Sequence, residues 1–201
     1  MSGGSRRDIM AAMAIEERVR ELLAAGDARG AATETLRHFG PKVLRYQGAL
    51  LRSETHAADA FSLFAGQVWK GLPQFEWRSS LQTWLFRIAW HAALNLKRDG
   101  WNRLGRAFQT GEATALAEDI RTKSVVRVER QRRTLDKLRE ALSDEEQSLL
   151  TLRVDQEFSW EEIAEVFSKE GEKIEPAALR KRFERLKERL TLLAREQGLV
   201  D

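Results

Sequence analysis

The sequence predicts an all-α protein: two small helical domains joined by a linker, the C-terminal one a helix-turn-helix. Proline is rare, at 3 of 201 residues, and Ala, Leu, Glu and Arg, which favour helices, are abundant. No stretch shows the alternation of Val, Ile and Thr that is typical of a strand. Periodicity and composition predict an N-terminal extension at 1–29, helical domains at 30–99 and 131–195, a linker at 100–130 and a tail at 196–201.

Composition excludes several classes of site. The chain has no cysteine, so disulfides, thiolate metal sites and cysteine nucleophiles are ruled out. No apolar run approaches the roughly 18 residues of a membrane span, and the polar start MSGGSRRD lacks a signal-peptide core. We therefore expect a cytoplasmic protein without membrane attachment.

The N-terminal half is predicted to hold three helices before the most informative stretch. Residues 1–10 are predicted to be disordered, and a helix over Met10–Ala25 ends at Gly26; no function is assigned to it. A second helix spans Ala31–Leu51, with Gly40-Pro41 expected to kink or split it. A third lies within Ser53–Leu72.

The most informative stretch is the helix predicted over Arg78–Arg98, with Ser79 as its N-cap and Gln82 three residues on. One face is an ordinary core stripe that includes Trp84 and Ile88. Phe86 and Trp90 fall on another face, among cations, and Phe75 and Trp77 lie in the preceding loop. Exposed aromatics interleaved with cations suit stacking on unpaired bases.

An alternative explains the same aromatics by packing. Phe86 and Trp90 would contact a neighbouring helix, for instance the one over Phe61–Trp69, and the loop aromatics would anchor the turn. The pattern alone leaves both interpretations open.

The C-terminal half has clear helix boundaries. After a linker with a helical turn near Ala113–Ile120 and a charged helix over Val126–Leu142, capping boxes begin two helices at Ser143–Glu146 and Ser159–Glu162. A turn over Lys169–Ile174 and Pro176 at a first helical position then begin the final helix.

The final helix carries a concentration of positive charge. Six basic residues oppose two acidic ones over Ala177–Leu190, although the net charge of the whole chain is only +3. Its cations lie off its apolar stripe, as a recognition helix requires. The alternative is a solvated amphipathic helix.

Catalytic patterns are missing from the sequence. The three histidines, His38, His56 and His91, are far apart and lack metal-ligand spacing. There is no phosphate-binding glycine loop and no nucleophile elbow. We expect a protein that is not an enzyme and that uses no metal or cofactor.

The motifs together resemble bacterial sigma factors of the extracytoplasmic-function type, which retain only region 2 and region 4. The resemblance rests on Ala57-Ala58-Asp59, the loop Phe75–Trp77, Thr83-Trp84-Leu85-Phe86-Arg87-Ile88-Ala89 and Glu162-Ile163-Ala164, in that order. His91 and Asn95 depart from the family pattern, and the turn before the final helix is longer than usual. Domain 30–99 would be region 2, and domain 131–195 would be region 4.

The resemblance implies an initiation factor that binds core RNA polymerase and promoter DNA and that has an anti-sigma protein as a possible partner. The residues implied at the −10 element are Phe75, Trp77, Arg78, Phe86, Arg87, Trp90, His91 and Lys97. Those implied at the −35 element are Ala177, Ala178, Arg180, Lys181, Arg182 and Arg185. Those implied at the polymerase are Asp59, Ser62, Leu63, Gly66 and Gln67.

Two other functions fit parts of the pattern. One is a helix-turn-helix regulator that acts without polymerase. The other is a helical adaptor that binds only protein. An exposed aromatic loop and helix would favour the sigma factor, since a reader of duplex DNA has no use for them.

Overall fold

The computed structural model describes residues 3–99, 111–125, 141–169 and 172–196. Within these ranges the chain forms eight α-helices and no strand, which confirms the all-α prediction. A short 3₁₀ turn, Leu72–Gln74, follows the third helix, and a π-helical segment, Thr151–Asp155, continues the sixth. The helices are α1 Gly3–Ala24, α2 Ala28–Leu51, α3 Glu54–Gly71, α4 Leu81–Asp99, α5 Gly111–Val125, α6 Asp144–Leu150, α7 Trp160–Phe167 and α8 Pro176–Glu196.

Helix α1 is longer than the sequence predicted. The expectation of disorder over residues 1–10 is wrong from Gly3 onward, where the backbone is helical. The end was predicted correctly, because Gly26 adopts a φ of +79°. Its N–H donates to the Leu23 carbonyl at 3.0 Å, and that of Asp27 donates to the Leu22 carbonyl at 2.8 Å. This is the Schellman pattern that glycine favours.

Helix α2 passes through Pro41 as one element, so the predicted split does not occur. The neighbouring Gly40 is buried where α3 and α5 approach α2. A Cβ at this position would lie 2.9 Å from Ile120 Cδ1 and 3.2 Å from Phe61 Cζ. The absence of a side chain therefore allows three helices to pack closely.

The N-cap of α4 lies one residue later than predicted. The backbone N–H of Thr83 donates to Ser80 Oγ at 3.0 Å, and Ser80 directly precedes the helix. Ser79 and Ser80 both carry a hydroxyl that could cap the helix. The capping-box spacing to Gln82 predicted Ser79, and this choice was wrong.

The capping boxes at the start of α6 and α7 are both confirmed, with Ser143 and Ser159 as the caps. Helix α8 begins at Pro176 as predicted. The helix predicted over Val126–Leu142 lies outside the described residues up to position 140. The same is true of residues 100–110, 126–130 and 197–201 of the predicted linker and tail, and of two turn residues, Glu170 and Gly171.

Part of the predicted linker is a helix of 15 residues, α5, where only a helical turn was expected. It contacts α2 and α3. Its buried side chains are Ala113, Ala117 and Ile120. A segment expected to be solvated therefore covers part of the N-terminal bundle.

The N-terminal and C-terminal groups of helices pack against each other. Helix α7 contacts α4, and α6 contacts α2. The buried hydroxyl of Tyr46 on α2 is hydrogen-bonded to that of Ser148 on α6. Arg52 donates to the Leu142 carbonyl at 2.6 Å. In this arrangement the two groups share one continuous apolar interior.

Candidate nucleic-acid interface

Three aromatic side chains form a cluster where the loop between α3 and α4 meets α4, and we call it the loop cluster: Phe75 and Trp77 of the loop and Trp84 of α4. The Phe75 ring stacks on the Trp84 ring with centroids 4.8 Å apart and planes inclined by 30°. The Phe75 and Trp77 centroids are 4.9 Å apart. All three side chains are half-buried, so each keeps part of its surface in solvent. Trp84 was predicted to lie on the core face; it packs against the core but is only partly buried.

Trp77 holds an uncommon backbone conformation. Its φ is +58°, in the left-handed region that residues with a Cβ adopt at a cost. Such strain persists only where surrounding contacts hold it. Here the contacts come from the Phe75 ring and from α1.

Helix α1 reaches the loop cluster from the other side. Glu16 Oε1 accepts a hydrogen bond from the Leu81 backbone N–H at 2.7 Å, which satisfies a free donor at the start of α4. The Arg20 guanidinium lies 4.2 Å from the centroid of the Trp77 ring. Arg78, exposed, pairs with Glu76 at 2.8 Å. Sequence reasoning missed Glu16 and Arg20, because no local pattern links them to a loop about 60 residues away.

The second aromatic group on α4 is buried, so the expectation that Phe86 and Trp90 are exposed is wrong. Phe86 is 0 % exposed and Trp90 is 5 % exposed. Phe86 contacts Phe158 with centroids 5.2 Å apart, and Trp90 contacts Phe167 at 4.9 Å. Packing was the alternative explanation. Phe86 also contacts Tyr46 on α2, with centroids 5.2 Å apart, while Phe158 lies in the segment before α7 and Phe167 lies on α7.

Polar contacts surround this covered face. Thr83 Oγ1 donates to Glu162 Oε1 at 3.3 Å, and Lys97 Nζ pairs with Asp144 Oδ1 at 2.5 Å. His91 Nε2 lies 3.2 Å from the Ser168 carbonyl oxygen. The predicted −10 residues therefore divide into an accessible loop cluster and an α4 group that the C-terminal helices cover.

His91 titrates in an unusual environment. Its pKa lies below the ordinary value mainly because it is partly buried. The nearby charges of Arg87 and Lys169 lower the pKa further, and the hydrogen bond with Ser168 opposes them. The imidazole therefore takes up a proton less readily than an exposed histidine does.

Helix α8 presents its cations outward. Arg180, Lys181 and Arg185 are exposed, whereas Leu179, Phe183 and Leu186 are buried behind them. Arg182 is also exposed but is paired with Glu145 on α6. At the start of the helix Ala177 is exposed and Ala178 is half-buried. This is the arrangement predicted from the sequence: an apolar back and a cationic front.

Arg189 on α8 links this helix to α6 and to the residues before it. Arg189 donates to Glu146 Oε2 at 2.8 Å and to the Ala141 carbonyl at 3.1 Å. Burial alone would raise the pKa of Glu146, but the hydrogen bonds from Ser143 and Arg189 together hold it below its ordinary value. The carboxylate therefore stays ionised, which maintains its ion pair with Arg189.

Comparison with known proteins identifies the architecture. Residues 35–103 match the family model of sigma-70 region 2, which covers α4 and the loop cluster. The RNA polymerase sigma factor YlaC of Bacillus subtilis strain 168 is 30 % identical over 183 residues, with coverage of 85 % of this chain and 98 % of the relative. The chain belongs to the sigma factors of the extracytoplasmic-function type. The recognition made from the motifs is thereby confirmed.

Sigma factors are transcription initiation factors that bind core RNA polymerase and promoter DNA, and they are not enzymes. Among the residues that the structure describes, no cluster of His, Asp and Glu could hold a metal ion. Over the same residues, none of this sigma factor's helices combines the length and apolarity that crossing a bilayer requires.

The residues of this sigma factor that the resemblance assigns to polymerase binding lie along α3. Asp59, Ser62 and Gln67 are half-buried, while Leu63 and Gly66 are buried. The Ser62 hydroxyl donates to the Ala58 carbonyl at 3.0 Å. Three of the five positions therefore have solvent-accessible surface in the free chain.

Proposed function

We propose that this sigma factor recruits core RNA polymerase to promoters, reads the −35 element with α8 and opens the −10 element with region 2. In this proposal α7 and α8 act as a helix-turn-helix, and α8 enters the major groove. Region 2 holds the non-template strand after the duplex opens. The protein acts in the cytoplasm, and an anti-sigma protein is a further partner that membership of this family suggests.

The loop cluster is the observation that carries the proposal. Opening DNA costs a few kcal/mol for each base step that is unstacked. Stacking a released base on an aromatic ring returns about 1–3 kcal/mol. Phe75, Trp77 and Trp84 offer partly exposed rings with Arg20 and Arg78 beside them, so one small surface combines stacking and phosphate contact.

The arrangement of α8 supports the −35 assignment. Duplex binding needs long cationic side chains on one face and an apolar face that fixes the helix angle. Arg180, Lys181 and Arg185 provide the first, and Phe183 with Leu186 provides the second. Arg182, paired with Glu145, would have to exchange that partner for a phosphate.

Helix α3 would supply the contact with core polymerase. Its polar side chains Asp59, Ser62 and Gln67 are half-buried and so retain surface that a partner could contact. Neighbouring α5, which lies within the predicted linker, would leave α2 and α3 when the linker extends between the two promoter elements.

Replacing Trp77 with Ala tests the −10 assignment in reconstituted transcription with purified core polymerase. We expect open-complex formation to fall roughly 5- to 150-fold, the equivalent of one lost stacking contact. Closed-complex binding should change little, and Trp77→Phe should retain most of the activity. Equal loss of both complexes would assign Trp77 to folding. Absence of promoter-dependent transcripts from a genomic promoter library would reject the sigma activity itself.

Arg185 and Arg182 on α8 provide a test variant and a matched control for the −35 assignment. Arg185→Ala should reduce the slope of log affinity against log salt by about 1, as expected for one lost phosphate contact. Arg182→Ala should have a smaller effect, since its guanidinium is paired with Glu145. An unchanged slope in both variants would indicate that α8 faces protein.

A further inference from the structure

We propose that helix α1 forms one wall of the −10 site: Arg20 binds a phosphate of the opened strand, and Glu16 positions the loop for that contact. The ligand is a phosphodiester of single-stranded DNA. This inference rests on the proposed function, because it requires the loop cluster to hold the opened strand. It goes further because α1 ends before residue 35, where the match to sigma-70 region 2 begins.

Two side chains on one face of α1 reach the loop. Glu16 and Arg20 are four residues apart, so they project from successive turns of the helix in the same direction. Glu16 Oε1 accepts a hydrogen bond from the Leu81 N–H at 2.7 Å. The guanidinium carbon of Arg20 lies 4.2 Å from the centroid of the Trp77 ring. Helix α1 therefore contacts both ends of the segment from Trp77 to Leu81.

The position of α1 does not depend on these two contacts. Val19, between Glu16 and Arg20 in the sequence, is 0 % exposed and belongs to the apolar core. At the end of the helix Asp27 caps α2 by accepting a hydrogen bond from the Gly30 N–H at 2.8 Å. The packing of α1 and its tight corner with α2 therefore present Arg20 to the loop before any DNA binds.

The donors of Arg20 are available to a phosphate. Its ion-pair partner among the described residues is Glu17, whose Oε2 lies 3.7 Å from Arg20 Nη1, beyond the range of a hydrogen bond. Half of the Arg20 side-chain surface is exposed. A guanidinium that lies over a ring still presents N–H groups at its edge, and this fork matches the oxygens of a phosphate. Arg20 therefore has both a fixed position and unused donors.

Arg78, the other cation beside the loop cluster, is less suited to the same contact. Its Nη2 already lies 2.8 Å from Glu76 Oε2, so a phosphate would have to share or replace that carboxylate. The Trp77 ring also restricts the Arg20 side chain in advance, which lowers the entropy lost when DNA binds. A nucleotide whose base stacks on the loop cluster carries its phosphate at the edge of the stacked surface, where Arg20 lies.

The phosphate contact can be tested with holoenzyme, assembled from the full chain and core RNA polymerase, on promoter DNA whose non-template −10 strand is unpaired. One phosphate of that strand at a time is replaced with a neutral methylphosphonate. At one or two adjacent positions, replacement should weaken binding by the wild type roughly fivefold, the upper value for an exposed ion pair. The same replacement should have no further effect in Arg20→Ala, because the contact is already lost.

Salt dependence separates phosphate binding from a purely structural role of Arg20. Arg20→Ala should reduce the slope of log affinity against log salt by about 0.7, as expected for one phosphate of a single strand. Arg20→Lys should keep the slope but bind more weakly, because an ammonium group lacks the planar fork. Weaker binding of Arg20→Ala with an unchanged slope and an unchanged methylphosphonate pattern would overturn the inference. Tighter binding would also overturn it, since Arg20 would then block the ring.

Arg18→Ala is the matched control. It removes the same charge from the same helix, but Arg18 lies about 200° around the helix from Arg20 and pairs with Glu21 at 3.0 Å. The salt slope and the methylphosphonate pattern should stay at the wild-type values. Equal changes in Arg18→Ala and Arg20→Ala would indicate a general effect of net charge and would reject a phosphate site at Arg20.

The positioning role of Glu16 is tested by two substitutions. Glu16→Gln keeps an oxygen that can accept the Leu81 N–H, whereas Glu16→Ala removes the acceptor. The methylphosphonate effect should persist in Glu16→Gln and should shrink in Glu16→Ala, although Arg20 is present in both. An effect of equal size in the two variants would overturn the positioning role.

The wild-type protein separates failure of this inference from failure of the proposed function. If wild-type holoenzyme neither binds the partly unpaired promoter DNA nor transcribes from the intact promoter, the proposed function is rejected, and the inference with it. If wild-type holoenzyme does both, but Arg20→Ala abolishes the effect of no methylphosphonate, only the assignment of Arg20 is rejected.

Discussion

At the scale of single residues, Arg20 and Trp77 show how the N-terminal helix contributes to the loop. A cation over an indole ring at an exposed site is worth about 0.5–1 kcal/mol. The contact also helps to hold Trp77 in a backbone conformation that residues with side chains seldom adopt. A helix for which the sequence suggested no function therefore supports the surface proposed to meet DNA.

Arg20→Ala should lower the free energy of unfolding by about 0.5–1 kcal/mol in urea titrations. The control is Arg18→Ala on the same helix, which removes an exposed pair with Glu21 at 3.0 Å and leaves Trp77 untouched. Exposed pairs of this kind contribute little, so this variant should stay near wild type. Equal losses in the two variants would contradict a specific role for Arg20.

His91 gives the stability of the free chain a pH dependence with a defined sign. In the folded chain its pKa lies below the ordinary 6.5 because of burial and because Arg87 and Lys169 are near. The unfolded chain therefore binds a proton more readily, and stability falls as the pH is lowered through 6.5 toward the folded pKa. Above pH 6.5 this contribution is fully present.

The urea midpoint of the wild-type protein should therefore be lower at pH 5.5 than at pH 7.5, apart from contributions of other groups. Comparison with His91→Gln isolates the effect, since the variant should show a smaller difference between the two pH values. A difference of the same size in both proteins would show that His91 does not cause the pH dependence.

At the scale of helices, Gly40 explains how α2, α3 and α5 come together. Alanine would normally be preferred to glycine inside a helix by about 1 kcal/mol. Here an added Cβ would approach Ile120 Cδ1 and Phe61 Cζ too closely. Packing against α5 therefore favours glycine at position 40, although helix propensity alone favours alanine.

Gly40→Ala should lower the free energy of unfolding by about 1–3 kcal/mol, as overpacked sites do. In an Ile120→Ala background the same change should cost less, because the nearest clashing atom is gone. A double-mutant cycle measured by urea unfolding would give this coupling. Strict additivity would indicate that α5 does not pack on Gly40.

Helix boundaries were predictable where local chemistry decides them. Gly26, the boxes at Ser143 and Ser159, and Pro176 all act within one turn of the chain, so their spacing was enough. The cap of α4 was misplaced because Ser79 and Ser80 are equivalent to a spacing rule. The length of α5 was underestimated because its helix is stabilised by packing on α2 and α3.

The sequence could not predict which faces of α4 are buried, because residues distant in the chain cover them. A period of 3.6 residues gives the angle between side chains but does not say which neighbour covers each side. Phe86 was assigned to an exposed face but is buried, since Tyr46 on α2 and Phe158 in the segment before α7 both pack against it. The family could be recognised from motifs even though the covered face could not.

At the scale of the whole molecule, the two groups of helices share one continuous apolar interior, through contacts of α7 with α4 and of α6 with α2. Dyes attached at Arg45→Cys on α2 and at Val154→Cys in the π-helical segment after α6 should therefore lose energy transfer over the same range of urea concentration in which helical circular dichroism is lost. Coincident transitions are the standard sign of two-state unfolding. Loss of energy transfer before loss of helix would mean that the two groups unfold separately.

The contact between Trp90 and Phe167 also has an evolutionary consequence. The two rings fill one buried space, so a change in the size of one side chain alters the room left for the other. Among relatives that keep the packing of α7 on α4, aligned sequences should show changes at position 167 that follow the size of the residue at position 90. Independent variation at the two positions would argue against a shared history of contact.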